Sequence, residues 1–160
     1  MHRAQELIRT LGLQPHPEGG HYREIHRSTV TVHPEDGRPA RGALTLIYFL
    51  LEAHGHSRWH RVTSDEAWMY VEGAPLELFR MDAALGECER MLLGGLADGA
   101  QPARVIPAGQ WQAARTTGPY TLVSCAVGPG FDFADFVMLA DHPREAEQVR
   151  RRFPELAPLV

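Results

Sequence analysis

The sequence predicts an all-β protein, an antiparallel sandwich or closed barrel with short helices only near its two ends. Three observations carry this. Short β-rich runs recur through the middle of the chain, each bounded by Gly or Pro. No helical stretch separates one run from the next, so a parallel sheet with crossover helices is not expected. Helical spacing of apolar residues occurs only near the termini.

The elements follow in order. Ala4, Leu7, Ile8 and Leu11 lie one helical turn apart, and Gly12 stands where a C-cap belongs. Strands are expected over residues 20–28, 43–51, 59–62, 67–72, 76–81, 89–93, 104–106, 111–115, 120–127 and 131–139. Turn signals fall between them, among them Glu35-Asp36-Gly37, Gly73-Ala74-Pro75, Gly94-Gly95 and Gly128-Pro129-Gly130. In Phe131-Asp132-Phe133-Ala134-Asp135-Phe136 the alternation breaks, and a β-bulge near Ala134 would restore it. Asp141-His142-Pro143 followed by residues 144–153 reads as a second helix, with Pro143 in its first turn and Arg150, Arg151 and Arg152 near its end, where cations suit the helix dipole. No repeat or linker divides the chain, and residues 1–160 are read as a single domain.

The composition excludes several classes of function. The net charge of −4 argues against a partner held by its phosphates. All 16 basic side chains are Arg, each a rigid fork suited to carboxylate or phosphate. The longest apolar run, residues 43–51, is too short to span a bilayer. The start, Met1-His2-Arg3-Ala4-Gln5-Glu6, lacks the apolar core of a signal peptide, so a cytoplasmic protein is expected. Two cysteines, Cys88 and Cys125, make neither a disulfide framework nor a zinc motif.

The chemistry concentrates between Ser57 and Gly73. Alternate residues of a strand share a face. With His60 inward, Arg58 and Val62 share its face, and Glu66, Trp68 and Tyr70 form an inward set on the next strand. Buried His, Glu and Tyr heads need partners, so this face suggests a pocket rather than a sealed core. Trp59 and Trp111 have the opposite parity and are expected outside the barrel, against the N-terminal helix or a partner subunit. Residues 18–27 crowd Glu18, His21, Tyr22, Arg23, Glu24, His26 and Arg27 into one strand. Either its charges guard a sheet edge, or it crosses the pocket mouth with Arg23 or Arg27 holding an anionic group.

The spacing of His60, Glu66 and Gly73 resembles the first cupin motif, with Val62 in place of its second His. Pro107-Ala108-Gly109-Gln110-Trp111-Gln112 resembles the second motif, with Gln112 in place of its His. A closer resemblance, to the cupin-5 family, runs through Glu18-Gly19-Gly20-His21-Tyr22-Arg23-Glu24, Ser57-Arg58-Trp59-His60-Arg61, the Pro107–Ala113 stretch and Pro129-Gly130-Phe131-Asp132-Phe133-Ala134-Asp135-Phe136. It implies a double-stranded β-helix of the cupin jelly-roll type, a homodimer, and an enclosed small-molecule pocket. It leaves the chemistry open, because fold does not fix function.

Typical cupins hold a metal with three His and one Glu. This chain keeps His60 and Glu66 alone of that set, so no metal and no cofactor are expected. His54 and His56 are read as solvated loop residues. The site is expected to gather His60, Glu66 and Tyr70 as acid–base groups, with Arg23, Trp68 and Gln112 binding ligand. Burial beside aromatics raises a carboxyl pKa, and a neighbouring carboxylate raises that of His, so the pair would exchange protons near neutrality. Tyr70 would protonate the opposite face. Three readings follow. The first is an epimerase, isomerase or lyase acting on a small polar or anionic, sugar- or nucleotide-like substrate. The second is a non-catalytic ligand-binding module. The third, weakened by Val62 and Gln112, is a metal-dependent oxygenase.

Overall fold

The Gly- and Pro-punctuated runs pair as antiparallel ladders. The computed structural model describes residues 3–160; Met1 and His2, the start of the run read as lacking a leader, lie outside them. The chain opens with α1 (Arg3–Leu11), followed by β1 (Gln14–Pro15), β2 (His21–Arg27), β3 (Thr31–Val32), β4 (Arg41–Gly42), β5 (Thr45–Glu52), β6 (His56–Val62), β7 (Asp65–Gly73), β8 (Leu76–Met81), β9 (Cys88–Leu93), β10 (Ala103–Ile106), β11 (Trp111–Thr116), β12 (Tyr120–Gly128) and β13 (Phe136–Met138). It closes with α2 (Pro143–Arg152) and a 3-10 segment, Pro154–Leu159.

A six-stranded sheet, β1-β2-β5-β12-β7-β10, faces a five-stranded sheet, β13-β6-β11-β8-β9, and β3 and β4 form a small separate ladder. This is the expected all-β jelly roll with short helices. None of the described helices is long and apolar enough to cross a membrane.

The barrel interior is closed at one end by Phe49, Leu51, Trp68, Leu76, Leu78, Met91, Leu93, Ile106, Val123 and Cys125. A second core lies outside the five-stranded sheet. There Trp59, Phe79, Met81 and Trp111 pack under Leu139, Ala146, Val149, Leu156 and Leu159. The parity argument thus holds for Trp59 and Trp111, but their cover is the C-terminal segment, not the N-terminal helix. α1 instead packs Ala4 and Leu7 against Leu50 and Leu122. Both Trp rings are almost fully buried within one chain, which removes the argument that they need a partner subunit.

Two local expectations are corrected. Residues 131–139 do not form one strand with a bulge. A 3-10 turn, Phe133–Asp135, absorbs the broken alternation, and only β13 pairs with β6. Asp132 caps this turn by accepting from the Ala134 amide at 2.8 Å, a local bond that competes with strand pairing. His56 is no loop residue; it begins β6 and pairs with Arg115.

Candidate functional site

The site begins with the turn between β1 and β2. Gly19 has φ 108° and Gly20 φ 72°, backbone that glycine alone adopts without strain. A Cβ on Gly19 would stand 1.9 Å from the His56 carbonyl oxygen, so only glycine lets this turn press against β6. That approach carries Glu18 inward to His60, where it is buried.

His60 reaches the same place from β6. Its Nδ1 lies 2.7 Å from the Arg58 carbonyl oxygen. A carbonyl only accepts, so Nδ1 holds the proton and the Nε2 of a neutral ring is bare. That Nε2 stands 3.1 Å from Glu18 Oε2, while Glu18 Oε1 accepts from the Ser57 hydroxyl at 2.6 Å. One proton therefore links Glu18 and His60. Both groups are fully enclosed, and burial disfavours the charged form of each. It pushes the Glu18 carboxyl up to about 8 and the His60 imidazole down from its ordinary value. The neutral pair follows, with Glu18 donating to Nε2. The expectation that a carboxylate neighbour raises the His60 pKa is thus reversed: Glu66 does pull it up, but desolvation outweighs that pull.

His16, from the turn before Glu18, accepts the Glu18 backbone amide on Nδ1 at 3.1 Å. Its ring sits 4.5 Å from Tyr22 and 6.0 Å from Phe136, centroid to centroid. Burial, with His60 beside it, brings its pKa down to about 3.

Glu66 enters from β7 in the opposite sheet. Gln112, paired with His60 in the β6–β11 ladder, donates Nε2–H to Glu66 Oε2 at 2.7 Å. Its Oε1 accepts from Trp68 Nε1 at 2.8 Å. Burial raises Glu66 to about 7, opposed by the attraction of His60 and by hydrogen bonds from Gln112 and the Cys125 thiol.

His16, Glu18, His60, Glu66 and Trp68 line a cavity of about 460 Å³ together with Val62, Phe49 and Cys125, and with Arg23, Arg27, Phe131, Phe133 and Phe136 toward the mouth. That size suits a small ligand. His60, Glu66, Trp68 and Arg23 all line it. Gln112 does not; it stands behind the wall as a tie between Glu66 and Trp68. Tyr70 does not either, because it packs beside the sealed interior core and its hydroxyl donates to the Gly73 carbonyl at 2.6 Å. The ladder between β7 and β12 slips by one residue just there. Parity alone puts Tyr70 in the pocket. It does face the interior, but at the end that apolar side chains fill.

At the mouth, Arg27 pairs with Glu24 at 2.8 Å and donates to the Phe131 carbonyl at 2.9 Å. Arg23 donates to the Leu11 carbonyl at 3.1 Å and has no carboxylate partner among the described residues. Sequence reasoning missed His16 and Glu18 as site residues. The Glu18-Gly19-Gly20 pattern was the available signal, since paired glycines mark a tight turn that approaches other backbone.

A family model described as Cupin superfamily (DUF985), or cupin-5, matches residues 5–139. The chain belongs to this family. The cupin is 33% identical to a hypothetical protein from Leishmania major, over 98% of this chain and 96% of that one, with a TM-score of 0.84. It is 32% identical to a structurally determined protein from Shewanella oneidensis, over 100% of this chain and 96% of that one, with a TM-score of 0.83. Oxalate decarboxylase from Bacillus subtilis is 15% identical, with a TM-score of 0.59 over 91% of this chain and 36% of its own, a likeness of fold alone. No curated protein matches the sequence.

The residues of this cupin do not fit the three-His, one-Glu metal centre of typical cupins. Val62 has no donor atom. Both ends of Gln112 are engaged, and the bare nitrogen of His60 is aimed at Glu18. What remains is an acid–base arrangement, in which a proton sits between the ligands an ion would need.

Proposed function

We propose that this cupin pocket binds a small polar or anionic molecule, sugar- or nucleotide-like, and moves protons on it as an isomerase, epimerase or lyase. The 3.1 Å contact between Glu18 and His60 carries this reading. Two buried carboxyls share one cavity, one raised to about 8 and the other to about 7. Burial brings both carboxyls into the neutral range, where each can act as acid or base. Near neutral pH either carboxyl can give or take a proton, Glu18 through its contact with His60 and Glu66 beside Gln112. Arg23 binds the anionic part and Trp68 walls the floor.

The experiment is solvent exchange. Purified protein is incubated in D2O with a panel of sugar nucleotides, and carbon-bound hydrogens are followed by NMR. Deuterium incorporation that disappears in Glu66→Gln supports the reading. Tight binding without exchange supports the second reading, a ligand-binding module. That alternative has its own motive, since both His60 nitrogens and both ends of Gln112 already have protein partners. The oxygenase reading is not carried forward, because the donor set does not fit a metal. A homodimer belongs to this proposal on the strength of the family resemblance, and light scattering at micromolar concentration tests it.

A further inference from the structure

Phe133 stands 51% exposed at the pocket mouth. A lone exposed Phe is unremarkable. Phe133, however, lines the cavity and belongs to a ring cluster there. Its centroid lies 5.0 Å from Phe131, 5.9 Å from Phe136 and 6.2 Å from His16. The backbone on either side is pinned. The Phe131 amide donates to Thr45 Oγ1 at 2.9 Å, and its carbonyl accepts from Arg27 at 2.9 Å. Asp135 receives Arg41 through Nε and Nη2, both at 2.9 Å, and Arg38 through Nη1 at 3.0 Å. These bonds keep the segment in place, so the ring is presented to the cavity mouth rather than folded into the core. A rigid aromatic face held in advance lowers the ordering cost of binding another ring.

The same cavity offers one cation without a carboxylate partner among the described residues, Arg23, whose bond to Leu11 fixes the guanidinium while leaving other N–H groups free. The deep end is different. Inward of Arg23 and Phe133 stand the buried carboxyls of Glu18 and Glu66, and a second buried anion would meet two carboxyls and no cation. An anionic group therefore belongs at the mouth, beside Arg23, and only one is accommodated.

We infer that the pocket takes a planar ring bearing a single carboxylate, the ring against the Phe131–Phe133–Phe136 wall and the carboxylate on Arg23. This goes beyond the proposal above: it rests on its reading of the cavity as a ligand site, but not on turnover, and it replaces the sugar-like ligand with an aromatic acid.

The experiment is calorimetric titration of the full chain with 2-naphthoate, 2-naphthamide, cyclohexanecarboxylate and glucose 1-phosphate. The acid should bind roughly tenfold more tightly than its amide, through a charge-assisted hydrogen bond. It should also bind about fivefold more tightly than the saturated acid, through ring stacking. Arg23→Gln should erase the preference for acid over amide, and Phe133→Ala the preference for naphthoate over cyclohexanecarboxylate. Both positions are exposed enough that melting temperatures should fall by only a few degrees, about what one ring cluster or one hydrogen bond supplies, which checks that the variants fold. Glucose 1-phosphate or cyclohexanecarboxylate binding as tightly as 2-naphthoate overturns the ring assignment, as does a failure of 2-naphthoate to bind at all. An acid preference that survives Arg23→Gln overturns the anion assignment. A dimer that Phe133→Ala dissociates with naphthoate affinity intact shows the ring to be an interface residue and overturns the inference. Absence of deuterium exchange would defeat catalysis while leaving these affinities standing, so the two readings fail separately.

Discussion

Glu18 Oε2 and His60 Nε2 are 3.1 Å apart, brought together by a glycine turn that presses against the start of β6. His60 Nδ1 is committed to a carbonyl, so the pair holds a single proton between two buried heads. Stability should record this. The unfolded carboxyl ionises near its ordinary value, about 4.5, while folded Glu18 keeps its proton to about 8. Between those limits Glu18 binds more protons folded than unfolded, whereas below the ordinary His value of 6.5 buried His16 and His60 bind fewer and oppose it, so the net fall in stability is expected as pH rises from about 6.5 to 8. Glu66, raised to about 7, adds to the same slope.

Glu18→Gln should therefore flatten the fall in melting temperature between about pH 6.5 and 8. The carboxamide reproduces the neutral pattern, with N–H to His60 and oxygen to Ser57, so the variant should fold well. Thermal melts across pH decide it. A slope equal to wild type, or collapse of the variant at every pH, would argue for an ion pair instead.

Gln112→Ala should strand Trp68 Nε1–H and one Glu66 oxygen in a buried site. Each unsatisfied group costs about 1–3 kcal/mol. Urea titration should show that loss, and the indole emission should shift as the Trp68 N–H is left unpaired. An unchanged midpoint would mean the tie is dispensable.

Gly19→Ala should be far more damaging than an ordinary glycine replacement. The new Cβ would stand 1.9 Å from a backbone oxygen and sit at φ 108°, so the turn must retreat and Glu18 with it. Crystallography should show the Glu18 carboxyl withdrawn beyond hydrogen-bond reach of His60, and the pH profile of stability should flatten accordingly. A variant with wild-type pH dependence would contradict this account of the turn.

Trp59→Ala should cost about 3–5 kcal/mol, the usual range for emptying a large aromatic site. It is buried beneath the C-terminal segment, so the loss should appear in the monomer and be independent of protein concentration. A loss that tracks concentration would mean that a partner subunit supports this face.

Much of the fold was legible in the chain because strand alternation and turn chemistry are local. Gly- and Pro-bounded runs marked the longer strands of both large sheets to within a few residues, but not the two-residue β1, β3 and β4, and Pro143 and the terminal arginines marked α2. The inward faces of His60, Glu66 and Trp68 followed from a period of two. Local rules failed where the period was interrupted. The capped turn at Phe133–Asp135 breaks alternation, whereas Tyr70 keeps its inward parity but sits at the sealed end, a depth that alternation does not encode.

By itself, then, the sequence determined an antiparallel β architecture, the helices at its ends, and which strand faces carry His60, Glu66 and Trp68. These depend on periodicity and backbone preference, which neighbours along the chain already express. Only the tertiary structure decided that Glu18, rather than Tyr70, shares the pocket with them, and that the C-terminal segment covers Trp59 and Trp111. Those outcomes depend on the close approach of distant backbones and on which buried polar group finds a partner. Both are set by packing in three dimensions and leave no periodic trace in one.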